Sequence, residues 1–254
     1  MGNWLQNKIT MSKRNLSYLF VFFLAVLIQA CDSNGCFEKG GNEQIEEIRL
    51  NSFTELSAHG MFELILVPDT TDYIEFEARE SVIPHLTARL EDKTVLLENS
   101  NSCFYQRDYK KVKAYVHYES LRKINLHEPC KLTTLYPITD VMSLVVQAEM
   151  AEVDIEINSD QFYFYNHTTT GGKYTFRGFV DYSSIAGYYT AQFNLDELEV
   201  RHFKVNNSSI GDMYVNARKI LEVQIHHRGN IYYTGNPEII IDSISGSGQL
   251  IHVQ

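Results

Sequence analysis

The residues of this chain that could support catalysis are scattered and match no known catalytic spacing. No Gly-x-Ser-x-Gly, His-Glu-x-x-His or phosphate-binding loop occurs in the sequence. A polysaccharide lyase built on stacked strands would need acids and bases on one face, and the residues that could form such a group are Lys173, Arg177, Asp181, Arg201 and Asp212. Charged residues spread over a solvated face would give the same pattern. The sequence therefore predicts no catalytic residue and no enzyme.

Two other groups of residues suggest metal binding. His226 and His227 are adjacent, but neighbouring side chains of a strand point to opposite faces, so the two cannot chelate one ion. Glu149, Glu152 and Asp154 could offer carboxylates to calcium, yet acids alternate here with apolar residues, as on the wet face of a strand. No Cys-x-x-Cys or Cys-x-x-His spacing occurs for zinc. We expect neither a metal site nor a cofactor.

Tyrosines are the better indication of a binding surface. In Phe162-Tyr-Phe-Tyr165, the alternation puts the phenylalanines on one face of a strand and the tyrosines on the other. Tyrosines recur in later segments, and the candidate surface comprises Tyr163, Tyr165, Tyr174, Tyr188 and Tyr232. Outward tyrosines would form a flat amphipathic strip suited to a glycan or protein partner. Alternatively, they stabilise the sheet through cross-strand pairs.

Cys31 follows a segment with the features of an export signal. Lys13 and Arg14 precede an apolar run over residues 19–28, which is too short to cross a bilayer, and Ala30 closes it. A cysteine at this place resembles a bacterial lipobox, in which the thiol is acylated and becomes the mature N-terminus. We predict a signal peptide over residues 1–30, starting at Met1 or Met11, and a lipid anchor at Cys31 that attaches the protein to a membrane. The alternative is an ordinary signal peptide with a chance cysteine.

The composition of the residues after residue 30 limits the classes of partner that the protein can bind. Residues 1–30 hold three of the 22 basic residues and none of the 32 acids, so the other 224 residues carry a net charge of −13. Such an acidic chain is unsuited to nucleic acid and to anionic lipid headgroups. In an oxidising compartment the three remaining cysteines predict one bridge and one thiol. Cys36 and Cys103 lie in polar stretches and are the candidate pair, whereas Cys130 is expected to be a buried small residue.

The elements that must position these residues are predicted to be strands. Residues 32–44 are polar and glycine-rich, as in a tether, and period-two alternation begins after Phe53, with one helical turn near residues 81–86. Small residues flanked by strands recur at steps averaging about 20 residues. They are Cys130, Ala151, Gly172, Gly187, Gly211, Gly229 and Gly248. One such unit is too small to fold alone, so stacking into a β-solenoid is predicted, with an antiparallel β-sandwich as the alternative.

Two stretches carry a family resemblance. The opening, Phe53-Thr-Glu-Leu-Ser-Ala-His-Gly-Met-Phe-Glu-Leu-Ile-Leu-Val67, and the ending, Gly229-Asn-Ile-Tyr-Tyr-Thr-Gly-Asn-Pro237, resemble the head GIN domain family of auto-transporter adhesins, especially lipoproteins of this kind from Bacteroidetes. The resemblance runs from about Ile48 to Val253. It implies an all-β fold with an N-terminal strand meander and a right-handed β-helix-like body. It also implies placement in the cell envelope and no enzymatic activity.

Taken together, these observations predict three segments: a lipoprotein signal peptide over residues 1–30, a lipidated cysteine and tether over 31–47, and a head GIN-like β-solenoid over 48–253. The predicted function is that of a cell-envelope lipoprotein, a non-enzymatic adhesin-like module that presents a solenoid surface to a glycan or protein. The predicted location is the cell envelope with a lipid anchor, and the outer membrane, the periplasm and the cell surface stay open as alternatives. An accessory role in envelope assembly or signalling is the alternative, followed by a polysaccharide-active enzyme.

Overall fold

A computed structural model of the chain describes residues 41–101, 112–167 and 171–253, and this region is built from strands. Its one helical element is a 3-10 turn at Ile83–His85, where a helical turn is predicted. The described strands are β1 (Glu43–Arg49), β2 (Glu55–His59), β3 (Glu63–Pro68), β4 (Tyr73–Arg79), β5 (Leu86–Glu91), β6 (Thr94–Asn99), β7 (Lys113–Tyr118), β8 (Lys123–Leu126), β9 (Cys130–Thr134), β10 (Met142–Val146), β11 (Met150–Asn166), β12 (Gly171–Tyr189), β13 (Gln192–Ser209), β14 (Met213–Ile225), β15 (Ile231–Thr234), β16 (Glu238–Ile244) and β17 (Leu250–His252). Among these described residues no helix is long and apolar enough to cross a bilayer.

The strands form two sheets that enclose one core. The front sheet runs in the order β1, β4, β7, β3, β9, the N-terminal halves of β11 to β14, β15 and β17. The back sheet runs in the order β5, β6, β2, β8, β10, the C-terminal halves of β11 to β14, and β16. Nearly all these pairs are parallel. The chain is therefore a β-solenoid of about six turns, as predicted, and not an antiparallel sandwich.

Each coil crosses from the back sheet to the front sheet through a turn and returns through a bend. We call the edge with the turns the turn ridge and the opposite edge the bend ridge. At the bend ridge β11 to β14 continue unbroken from one sheet into the other, with register shifts in the pairing of β12 with β13 and of β13 with β14. Gly178 adopts φ +108° there, and a Cβ at this position would lie 2.1 Å from the carbonyl oxygen of Ile157. In these four coils the predicted short strands are therefore merged at the bend ridge, whereas β9 and β10, and β15 and β16, remain separate there.

The predicted repeat corresponds to a column of small residues on the turn ridge. The strand registers align Cys130, Ala151, Gly172, Ala191, Gly211, Gly229 and Gly248 in successive coils. Ala191 takes the place predicted for Gly187. Gly187 instead gives room to the core, because a Cβ there would lie 2.4 Å from Phe193 and from Met213.

The N-terminal strands are integrated into the solenoid more closely than a separate meander would be. β2 pairs with both β6 and β8, and β3 with both β7 and β9, so the first coil lies inside the stack. Antiparallel β1, β4 and β5 then close this end. β1 begins at Glu43, so the strands start five residues before the predicted boundary at 48.

Candidate functional site

Four outward-facing tyrosines meet on the back sheet, and we call Tyr163, Tyr165, Tyr182 and Tyr188 the back-sheet patch. The ring centroids of Tyr163 and Tyr182 are 6.0 Å apart, and those of Tyr165 and Tyr188 are 5.3 Å apart. Tyr163 and Tyr165 are 36% and 37% exposed. The patch thus joins β11 to β12 and leaves two rings accessible to a partner.

The local sequence explains why these rings project. Phe162 and Phe164 face inward and are buried against the aromatic core, so Tyr163 and Tyr165 must face outward. The residues in register beside Tyr163 are Ser143 and Ser184. Small neighbours do not cover a tyrosine ring, and the patch therefore stands above the surrounding sheet.

The rings of the patch are inclined to each other. The interplanar angle is 52° between Tyr163 and Tyr182 and 69° between Tyr165 and Tyr188. Inclined rings do not cover one another's faces, whereas parallel stacked rings do. The patch can therefore offer open aromatic faces, and the Tyr163 hydroxyl donates to Gln161 Oε1 at 2.8 Å at its edge.

A charged network continues the patch toward the C-terminal coils. The ring of His202 lies 5.1 Å from that of Tyr182, and its Nε2 is 2.6 Å from Glu222 Oε1. Lys204 Nζ donates to Glu222 at 3.1 Å and to Asp242 at 3.3 Å. Hydrogen bonds from His202 and Lys204 lower the pKa of Glu222, and the bond to Glu222 raises the pKa of Lys204. His202 and Tyr182 were not among the predicted site residues, because their contact depends on strand register.

Tyr232 lies on the other sheet from the patch. It faces outward on β15 in the front sheet, where its ring stacks on that of Tyr214 at 4.9 Å and 9°. This spacing equals the gap between strands, so the two ring faces cover each other. The predicted single strip is therefore divided between two faces of the molecule.

The prediction that Tyr174 faces outward is wrong. Its side chain is 1% exposed and packs in the core against Phe164 and Phe193, at centroid distances of 4.6 and 5.0 Å. It faces inward because it alternates with Lys173 and Thr175 on β12, whose side chains point outward. Tyr174 is not part of an outward strip.

The charged residues considered for a lyase do not converge. Arg177 pairs with Asp154, and Arg201 with Asp181 at 2.6 Å, both at the bend ridge. Asp212 lies at the turn ridge, where its carboxylate accepts the backbone N–H of Asn230 at 2.7 Å. The two ridges are opposite edges of the sheets, so these residues do not form one site.

The metal candidates and some of the cysteines can be placed. Across the described ranges, no group of three or more His, Cys, Asp or Glu residues could hold a metal ion. His226 Nδ1 lies 2.9 Å from the Ser245 hydroxyl. Cys130 is a free thiol that is only partly buried against the core, so the predicted burial is incomplete; desolvation still raises its pKa to about 12. Cys31, Cys36 and Cys103 lie outside the described residues, and their lipidation and bridge stay predictions.

Similar proteins agree with this architecture. A crystal structure of a putative adhesin from Bacteroides fragilis superposes with a TM-score of 0.73 at 16% identity, covering 84% of this chain and 97% of that chain. A putative lipid binding protein from Parabacteroides distasonis gives 0.61 at 20% identity, and a putative adhesin from Parabacteroides merdae gives 0.57 at 14% identity. Both cover 84% of this chain and 98% of their own. At these identities the likeness concerns the fold.

Comparison of the sequence with known proteins and family models identifies the family of this chain. No curated protein matches the chain. The family model described as "Putative auto-transporter adhesin, head GIN domain" matches residues 52–237, which is most of the chain and includes the back-sheet patch. The chain belongs to the head GIN domain family of adhesin-like proteins.

Proposed function

We propose that this protein is a cell-envelope binding module that contacts a glycan through the back-sheet patch. The observation that carries the proposal is the pair of exposed rings at Tyr163 and Tyr165, each inclined to a tyrosine ring of β12 and each in register with a small residue of that strand. Open ring faces can pack against the C–H face of a sugar, and hydroxyl and amide groups beside them can hydrogen-bond its hydroxyls. The membership in an adhesin-like family supports a binding role without catalysis.

The test replaces both exposed rings. We expect Tyr163→Ala with Tyr165→Ala to reduce binding to a glycan array at least tenfold, since both ring faces are lost. The free energy of unfolding should fall by only about 1 kcal/mol, because exposed cross-strand pairs contribute little. Binding and urea denaturation are measured on the same preparations.

The front sheet provides a matched control. Tyr214→Ala with Tyr232→Ala removes the same number of tyrosines from the other sheet, where the two rings are stacked and cover one face of each other, although Tyr214 is 43% exposed. Glycan binding should be unchanged in this variant. Equal losses in the two variants, or undiminished binding without Tyr163 and Tyr165, would refute the patch. Capture of an envelope protein instead of a glycan by the patch would refute the ligand class.

The placement in the envelope is proposed to depend on acylation of Cys31. The support is the sequence alone: an export signal over residues 1–30 ends directly before this cysteine. Cells fed radiolabelled palmitate should label the wild-type chain, and the Cys31→Ala variant should lose the label and leave the membrane fraction. Labelling that persists in the variant would contradict the site.

A further inference from the structure

A groove of about 940 Å³ runs along the turn ridge, away from the back-sheet patch. Its lining comes from five successive coils, from Phe62 at one end to Gln192 at the other. Four gaps between parallel strands correspond to a length of about 19 Å. The groove is therefore long and narrow, which suits an extended chain better than a compact ligand.

The small-residue column produces this groove. Cys130, Ala151 and Gly172 occupy equivalent positions in three coils, and their side chains are too short to fill the ridge. One coil further toward the N-terminus the equivalent residue is Phe62, which is 2% exposed and closes that end. A change in side-chain volume along one column thus creates a trough with one closed end.

Both charged and apolar side chains line the groove: Lys131 and Glu152 lie in register with Lys173, and the apolar side chains are concentrated toward the closed end. Met61, Pro129 and Met150 line the region near the closed end. Lys173, Thr190 and Gln192 line the region near the other end. Such an arrangement matches a ligand with an apolar tail and a polar head, and methionine side chains adapt readily to a flexible tail.

The hydroxyl of a buried tyrosine lies beside the groove at Gly172. Tyr174 is 1% exposed, and its hydroxyl forms no hydrogen bond with the residues that the structure describes. The hydroxyl lies against Gly172, where a Cβ would be only 2.2 Å from the oxygen, and Gly172 lines the groove. The Tyr174 hydroxyl can therefore donate a hydrogen bond to a ligand acceptor placed at Gly172.

The charge beside this hydroxyl is positive. Across the front sheet the outward residues in register alternate in sign in the order Glu77, Lys113, Glu63, Lys131, Glu152 and Lys173. Lys113 and Lys131 each have a glutamate on both sides in this series. Lys173 ends the series beside the neutral Gln192 and makes no ion pair with any residue in the described ranges. Its ammonium group is thus the least neutralised of the three lysines.

We propose that this groove binds a fatty acid, with the carboxylate at Lys173 and the Tyr174 hydroxyl and the acyl chain along Met150, Cys130 and Met61. The carboxylate accepts a hydrogen bond from Tyr174 and is paired with the Lys173 ammonium. The tail covers the apolar floor as far as Phe62. This site is separate from the proposed glycan surface, and each can fail without the other.

The experiment measures binding of palmitate to the full chain carrying Cys31→Ala, after extraction of co-purified lipid, by isothermal titration. We expect one palmitate per chain. Tyr174→Phe and Lys173→Gln should each weaken binding about tenfold, the size expected for loss of one charge-assisted hydrogen bond. Met150→Lys, at a position 69% exposed, should weaken it similarly by placing a charge in the path of the tail.

The controls separate this role from a structural one. Tyr174→Phe should leave the urea midpoint unchanged, because the hydroxyl makes no hydrogen bond to a described residue that the substitution could remove. Tyr118→Phe removes a buried hydroxyl that has no hydrogen-bond partner in the described part of the chain, on a residue that does not line the groove, and should not change palmitate binding. The double variant of Tyr163 and Tyr165 should also bind palmitate normally.

Absence of palmitate binding would overturn the proposal, and so would binding that is unaffected by Tyr174→Phe and Lys173→Gln together. Equally tight binding of hexadecanol would overturn the assignment of a carboxylate as the head group.

Discussion

Single buried polar side chains organise the turns at the residue scale. Asn207 is fully buried, and its amide donates to the carbonyl oxygens of Gly211 at 3.0 Å and Asn230 at 3.1 Å. Its side-chain oxygen accepts from the backbone N–H and the hydroxyl of Ser209. Two coils earlier, Asn166 has a similar role and bonds the backbone of Tyr188 in both directions. These side chains replace strand hydrogen bonds where the chain leaves the back sheet.

Replacement of Asn207 should therefore be costly. We expect Asn207→Ala to lower the free energy of unfolding by about 2–4 kcal/mol, because several buried groups lose their partner. Urea denaturation checks this value. Asn206→Ala, on the outward side of the same strand, should cost less than about 1 kcal/mol. Similar costs at the two positions would contradict the role of the buried amide.

A histidine pair makes the stability depend on pH. The rings of His59 and His127 stack at a centroid distance of 4.1 Å on the back sheet. Burial, and then the charge of His59, lower the pKa of His127, although Gln147 and Glu128 oppose the shift. The folded protein thus favours neutral His127, whereas the unfolded chain binds a proton below its ordinary pKa of about 6.5.

Acid destabilises the folded protein at this position. Below pH 6.5 the unfolded state binds more protons than the folded state at this position, so the free energy of unfolding falls with decreasing pH. We expect the drop in urea midpoint between pH 7.5 and 5.5 to be smaller in His127→Gln than in the wild type. His85→Gln, at an exposed histidine, should keep the full drop. An undiminished drop in His127→Gln would contradict the assignment.

At the scale of the elements, close backbone contacts between coils explain the glycines of the turn ridge. A Cβ on Gly229 would lie 2.0 Å from the carbonyl oxygen of Gly211, and one on Gly248 would lie 2.1 Å from that of Gly229. These are contacts with backbone, which cannot move without separating the coils. Glycine therefore recurs at these positions because the stacked coils leave no room for a Cβ.

Gly229→Ala should separate two coils locally. We expect a loss of about 1–3 kcal/mol in the free energy of unfolding, as for overpacked cores. Gly171→Ala serves as the comparison, because its nearest neighbour is the Thr190 hydroxyl at 2.6 Å, which can rotate away. Chemical denaturation of both variants checks the difference, and a larger loss for Gly171→Ala would contradict it.

The solenoid formed by the described residues has two unlike ends. At the N-terminal end Val82 and Leu86 cover the core and are 9% and 7% exposed. At the other end β16 and β17 each pair with one strand among the described residues, and the inward-facing Ile241 and Ile244 are 55% and 45% exposed. In a stacked fold each coil is stabilised by its neighbours, so the last coil should be the least stable.

Two isoleucines in register allow the stabilities of the last two coils to be compared. Ile225 and Ile244 occupy equivalent inward positions in adjacent coils, but Ile225 is fully buried. We expect Ile225→Ala to lower the free energy of unfolding by about 2–5 kcal/mol and Ile244→Ala by less than half as much, since its surface is only partly removed from water. Thermal and urea unfolding test both variants. Equal losses would show that something covers the C-terminal coil.

The sequence alone determined the features that depend on neighbouring residues. Alternation of period two indicated strands, and in Phe162-Tyr-Phe-Tyr165 it correctly separated core from surface, because successive strand side chains point to opposite faces. The spacing of about 20 residues indicated stacked coils, since each coil must return to the same edge.

Only the tertiary structure decided which of these residues meet. The chain passes through both sheets in every coil, so tyrosines with the same local pattern lie on opposite faces, as Tyr163 and Tyr232 do. Tyr174 faces inward because Gly172, directly before it on the same side of β12, leaves room for its ring and hydroxyl. Such placements depend on register between strands about 20 residues apart, which no local pattern specifies.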